Sequence, residues 1–381
     1  MNPFVYGEVV PAEAFTDREA ELARLVADLE AGQKVFVISP RRFGKSSLVR
    51  QALQALARKR VLGVELTVSS YSSYVAFLEG YTRSLLGLER EVEAARTWVE
   101  RLLGPAQPEL RSRPSGEGHM TLDVAFPRAR SARDIARLAD QVFALPGRLA
   151  DLKNRRLVVA LDEFQDIARF DGGSVEQALR AAVQHQRRVG YVFAGSEPSL
   201  MEQMISPRRP FYKAGPVLRL GRIPADLFGR FLEARFKASG LAPAPGLGSA
   251  IVDLAGNLPY DVQRLAHETW DDVRAAGRRK VTVEDLDTTL HRLLREHAVF
   301  FEGSWQRLTL AQRAALRAVV LEDGRTLLSV DARLRHRLGG ASSVQASLGA
   351  LLREDLIARD ETGRYWVVDS LFREWVARKT F

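Results

Sequence analysis

The sequence predicts an α/β protein: a P-loop NTPase core built on a parallel sheet, then an all-α lid, then a C-terminal winged-helix domain. Three observations carry this. A β-branched run from Lys34 to Ser39 passes through Pro40-Arg41-Arg42-Phe43-Gly44 into Lys45-Ser46-Ser47 and a helical pattern that continues to Arg58. A second apolar run, Leu157 to Leu161, delivers Asp162 and Glu163 at its C-terminal end. From Pro224 to Ala298 the periodicity is wholly helical, and after Trp305 it changes to three short helices and a hairpin.

Size supports several domains. The chain has 381 residues, 46% of them hydrophobic, and a single core stops growing at roughly 250–300 residues. The composition divides it into a P-loop core over 1–222, a helical lid over 223–300 and a winged-helix domain over 301–381. No run of about 18 apolar residues occurs, and the opening lacks the basic-then-apolar order of a signal peptide, so a cytoplasmic protein with no membrane partner is expected. The absence of cysteine excludes disulfides, thiolate nucleophiles and cysteine-based zinc sites. The six histidines show no metal-ligand spacing, so a metal is expected to arrive with a nucleotide. The net charge of +9 suits a polyanion, as does a pI near 10.0. Only 8 of the 56 basic residues are lysine, however, and an arginine excess also follows from a GC-rich genome.

Taken in order, the elements begin with a helix from Asp17 to Leu29, for which Thr16 or Asp17 is the expected cap. The strand at Lys34, its loop and the helix from Ser46 follow. The apolar run Val61 to Val68 and a helix from Tyr74 to Leu86 read as a second βα unit. Residues 104–133, rich in Pro, Gly, Ser and Arg, read as a surface insertion containing a short hairpin. The runs Leu157 to Leu161 and Val189 to Ala194 flank a helix from Ser174 to Gln186. Short, unbroken apolar strands of this kind belong to a parallel sheet covered on both faces. The helical stretch is interrupted at residues 240–248 and 256–259.

The segment Ser39 to Ser47 has the strand-before, helix-after context that a GxxxxGK[ST] loop requires. Ser39 to Ser47 is therefore the expected phosphate cradle for ATP or ADP. Backbone N–H groups and the helix N-terminus face the phosphates, Lys45 adds a positive charge, and the Ser46 hydroxyl ligates Mg²⁺. Ser39 replaces the first glycine, which is tolerable if its φ stays negative. Asp162 is assigned to Mg²⁺ and Glu163 to the attacking water, because phosphoryl transfer needs both roles at the C-terminal edge of the sheet. Ser196, after the next strand, is placed to reach a γ-phosphate or the water.

With those residues placed, the chain resembles the archaeal-type ATPase family, a group within the STAND branch of AAA-related P-loop NTPases. The likeness runs from Asn2-Pro3-Phe4-Val5-Tyr6-Gly7 and the stretch Phe15 to Leu22, through the loop, Asp162-Glu163-Phe164-Gln165 and Gly195-Ser196, to Tyr365 through Trp375. Gly256-Asn257-Leu258-Pro259-Tyr260 is similar to the family's GGxPY, which implies that Pro259 lies against the nucleotide base. Where the family often has PLYGR, this chain has Ser206 to Lys213, so Lys213, with Arg208 and Arg209 nearby, replaces the finger arginine. The resemblance implies a homo-oligomer completed by such a finger, and lysine at that position lacks arginine's planar fork.

In the C-terminal module Thr309 with Gln312 and Ser342 with Gln345 each read as a capping box. A further helix fits Val330 to Leu338, and a hairpin fits Leu356 to Arg359 with Tyr365 to Val368. Double-stranded DNA is one candidate partner. The expected recognition helix, Ser343 to Arg353, carries only Arg353 as a base, whereas Arg333, Arg335, His336 and Arg337 precede it and suit backbone phosphates. A protein partner is the other candidate.

Overall fold

A computed structural model describes residues 1–7, 18–89, 92–103, 108–114, 120–170, 174–322, 324–360 and 362–379. They form two compact units, one of residues 11–221 and one of residues 1–10 with 222–381. Thr16 and Asp17, the expected caps of the first helix, lie outside the described residues.

In the first unit, α1 (Glu19–Glu30) leads to β1 (Lys34–Ile38), α2 (Lys45–Arg58), β2 (Leu62–Thr67), a 3₁₀ turn at Val68–Ser70 and α3 (Tyr74–Leu86). Next come α4 (Val92–Leu103), β3 (Glu109–Pro114), β4 (Met120–Ala125) and α5 (Ala132–Leu152). Then β5 (Leu157–Asp162), a 3₁₀ turn at Phe164–Arg169, α6 (Ser174–Val183), β6 (Val189–Gly195), α7 (Pro198–Met204) and β7 (Val217–Arg219) complete the unit. Among the described residues the central sheet has the order β2-β5-β6-β1-β7, and every pairing in it is parallel. The expected hairpin in the insertion is β3 with β4, antiparallel.

Strand burial follows from side-chain alternation with both faces covered. Phe36 and Ile38 of β1, Leu157, Val159 and Leu161 of β5, and Tyr191 and Phe193 of β6 join one cluster, packed with α3, α5 and α6. Val35, Val37, Val158, Ala160, Val192 and Ala194 point the other way and pack with α1 and α2. Hence β5 and β6 are buried at every position. Gly190 in β6 lets α1 approach: a Cβ there would stand 2.7 Å from the carbonyl oxygen of Leu29.

The second unit contains α8 (Ala225–Ala238), β8 (Ala242–Pro243), α9 (Leu247–Leu254), α10 (Pro259–Ala275), β9 (Lys280–Val281), α11 (Val283–Glu296) and α12 (Ala298–Gln306). It continues with α13 (Leu310–Leu321), α14 (Val330–Arg335), α15 (Ala341–Arg353), β10 (Ile357–Arg359), β11 (Tyr365–Val367) and α16 (Ser370–Arg378). The stretch expected to be wholly helical also holds a short parallel ladder between β8 and β9. One hydrophobic cluster runs through the whole unit, from Phe228 and Leu265 to Leu348 and Phe372, and takes in Phe4. The segment of residues 365–375 reaches the residues flanking 256–260: Arg373 donates to the Leu254 carbonyl at 2.9 Å, and the Ser370 N–H donates to Asp261 at 2.9 Å.

Thr309 and Gln312 form the expected capping box. Ser342 does not cap: α15 starts a residue earlier, after Gly340, with no side-chain cap. The helix expected from Val330 to Leu338 stops at Arg335, because Arg337 turns left-handed with φ 52°.

Candidate nucleotide site

The loop after β1 begins where that strand lies beside β6. Ile38 pairs with Gly195, and the Ser39 N–H donates to the Gly195 carbonyl at 3.3 Å. Ser39 keeps a negative φ. The left-handed turns fall instead at Arg42, φ 70°, and Gly44, φ 84°, and an arginine in that region costs about 1–3 kcal/mol of backbone strain. Ser39 is 1% exposed, and its hydroxyl has no hydrogen-bond partner among the described residues. Phe43 and Ser47 are buried, Pro40 is half-buried, and Arg41 and Arg42 are exposed. Gly44 stands at the N-cap of α2 with no side-chain cap, so no capping side chain fills the anion-favouring end of that helix.

Lys45, Ser46, Asp162, Glu163 and Ser196 come together from three elements. The Lys45 ammonium lies 2.6 Å from Asp162 Oδ1 and 3.5 Å from Glu163 Oε1. Ser46 donates to Asp162 Oδ2 at 2.8 Å. Ser196 donates to Glu163 Oε2 at 2.5 Å, and Gln165 donates to the same oxygen at 2.7 Å. Glu163 itself turns left-handed, φ 50°, which swings its carboxylate back over the end of β6. Gly195 makes room for this: a Cβ there would lie 2.8 Å from Gln165 Oε1. In the sequence Gln165 stands out only as part of a motif, because its side-chain contact depends on the bend at Glu163.

Burial pushes the Glu163 carboxyl up, but the Lys45 charge and the hydrogen bonds from Ser196, Gln165 and Lys45 outweigh it and hold the group below its ordinary value. The carboxylate is thus kept ionised and able to accept a proton. Lys45 is 6% exposed and balances two carboxylates in a setting where an unpaired charge would be costly. No cluster of three or more His, Asp or Glu side chains suited to a metal occurs among the described residues. The Ser46 hydroxyl and the Asp162 carboxylate are hard oxygen donors 2.8 Å apart, a pair that fits a cation such as Mg²⁺, which takes most of its ligands from water and phosphate oxygens. Pro259 belongs to the other unit, where it occupies the first turn of α10.

Residues 299–378 match the family model described as "Probable winged helix domain". The whole chain is similar in structure to the Walker-type ATPase PABY2304 of Pyrococcus abyssi, at 16% identity over 99% of each chain, with a TM-score of 0.62. It is also similar to the ORC2 protein of Aeropyrum pernix in ADPNP-ADP complexes, at 15% identity over 98% of this chain and 96% of that one, TM-score 0.55. The ORC1 protein of the same organism, in complex with DNA, matches at 14% identity over 97% and 94%, TM-score 0.54. No curated protein matches. The fold is that of the P-loop ATPases, with a parallel central sheet and a C-terminal winged helix.

Proposed function

We propose that this chain is an ATP-binding, Mg²⁺-dependent ATPase that turns over slowly and acts as a nucleotide-dependent switch. The observation that carries the reading is the closed network of Lys45, Ser46, Asp162, Glu163 and Ser196 at the C-terminal edge of three neighbouring strands. Residues 39–47 and the N-terminus of α2 take the phosphates, and Lys45 exchanges its carboxylate partners for phosphate oxygens. Ser46 and Asp162 hold Mg²⁺, which supplies charge neutralisation on the phosphates. Glu163 orients and deprotonates the attacking water, and Ser196 fixes the position of the Glu163 carboxylate. Glu163→Gln should retain ATP affinity but slow single-turnover hydrolysis at least about a hundredfold; hydrolysis at the wild-type rate would remove Glu163 from the role of base.

The lid of residues 223–300 and the winged-helix module of residues 301–381 respond to nucleotide as one body, a reading supported by their shared hydrophobic cluster. Duplex DNA is the partner of that module, supported by the DNA-bound state of the similar ORC1 protein and the net charge of +9. Binding is to backbone phosphates. The exposed N-terminal face of α15 carries Ser342, Ser343, Gln345 and Ala346, none of them basic. Arg335 and His336 are both engaged by Glu322, at 2.5 and 2.8 Å, which leaves the phosphates to Arg333 and Arg337.

A further inference from the structure

Beyond the nucleotide site, the first unit has a cleft of about 580 Å³ between α6 and residues 208–212, within the roughly 300–1,000 Å³ range of ligand-sized clefts. Gln177, Arg180, Gln184, Arg208, Arg209 and Tyr212 line it, and among the described residues no carboxylate does. The acid beneath it, Glu176, is fully buried and neutralised by Arg209 at 2.7 Å. Arg180 is braced by its Nε, which donates to the Pro210 carbonyl at 3.2 Å. Arg208 is exposed and sits on a left-handed backbone, φ 71°.

The aromatic residue in this cleft is not loosely attached. Phe211 is fully buried and packs its ring 5.3 Å from that of Phe164 and 5.0 Å from that of Phe193. With Phe211 fixed, its neighbour Tyr212 stays turned outward, 43% exposed, with the Lys213 ammonium 5.3 Å from its ring centre. Phe211 anchors the backbone here, so the Tyr212 ring is presented to solvent beside the arginines instead of packing into the core.

We propose that this cleft binds single-stranded nucleic acid, with Arg208 and Arg180 on phosphates and Tyr212 stacked against a base. Guanidinium groups match phosphate oxygens two at a time, and every base offers a face to an aromatic ring once it is unstacked. The two glutamine amides both donate and accept, which suits base edges of any identity. A duplex keeps its base faces inside and cannot use the tyrosine.

Fluorescence anisotropy with labelled oligothymidine and oligouridine of about 16 nucleotides, the upper end of single-module site sizes, tests this on the full chain. Arg208→Glu and Tyr212→Ala should each weaken binding about tenfold, and Tyr212→Phe should restore it, since the ring and not the hydroxyl stacks. Arg208→Glu should also flatten the salt dependence by about 0.7 in slope for each phosphate it no longer neutralises, whereas Tyr212→Ala should leave the slope alone. Lys237→Glu in the other unit makes the same charge change at an exposed position assigned to no ligand and should not affect either single strand. Binding of neither strand by the wild type at low salt would overturn the proposal, and so would cleft variants that bind like the wild type. ATP affinity measured on the same variants should be unchanged; a parallel loss would assign the effect to the core as a whole and also overturn the cleft as a separate site.

Discussion

Lys45 pairs with two carboxylates, Asp162 and Glu163, so removing it has two effects. Lys45→Ala should lose most ATP affinity by isothermal titration, because the loop's side-chain cation towards the phosphates is gone. It should also destabilise the free protein, since Asp162 and Glu163 are then left without their counter-charge. Ser196→Ala removes the 2.5 Å hydrogen bond to Glu163 and should lower the hydrolysis rate about tenfold with ATP affinity unchanged, since a misplaced base affects the transition state alone. The pH dependence follows in sign. Glu163 is depressed below its ordinary 4.5, so its contribution to stability is fully present above that value and is lost as pH falls through the lower, folded value. Melting temperatures recorded downward from neutral pH should show this acid component in the wild type and lose it in Glu163→Gln. The residues of this network were legible in the sequence because loop and strand ends fix them locally. Gln165 was not, because it reaches Glu163 only through a backbone turn that a glutamate seldom takes.

At the scale of elements, β1, β5 and β6 were readable because strands buried on both faces leave unbroken apolar runs, whereas α4 and α5 leave no such mark. Pro146 lies inside α5, and a proline in a helical pattern reads as a stop. Capping shows a similar division. Thr309 and Ser342 carry the same signature, yet only Thr309 caps, because the chain enters α15 through Gly340 and leaves Ser342 within the first turn. Thr309→Ala should therefore cost about 1 kcal/mol and Ser342→Ala close to nothing, as read by chemical denaturation. Gly190→Ala places a methyl 2.7 Å from a backbone oxygen of α1 and should cost about 1–3 kcal/mol; a melting temperature equal to the wild type would mean that α1 yields to it.

Across the whole molecule, the opening residues belong with the far end of the chain. Phe4 is 1% exposed, and its ring lies 4.6 Å from that of Phe236. Arg235 donates to the Pro3 carbonyl at 2.6 Å, and Tyr6 donates to Glu268 at 2.6 Å. Phe4→Ala should cost about 3–5 kcal/mol, and hydrogen exchange should place the loss in residues 222–379 and not in residues 18–221. The sequence showed this opening only as a motif, because its partners stand more than two hundred residues away. That separation also sets an order of events during synthesis. Residues 2–6 are made well before the surface that receives them, around Arg235, Phe236, His267 and Glu268, while residues 18–221 lie between and can fold as a unit as they emerge. The nascent protein thus carries a folded P-loop unit and a waiting apolar anchor, Phe4, until α8 and α10 arrive to cover it.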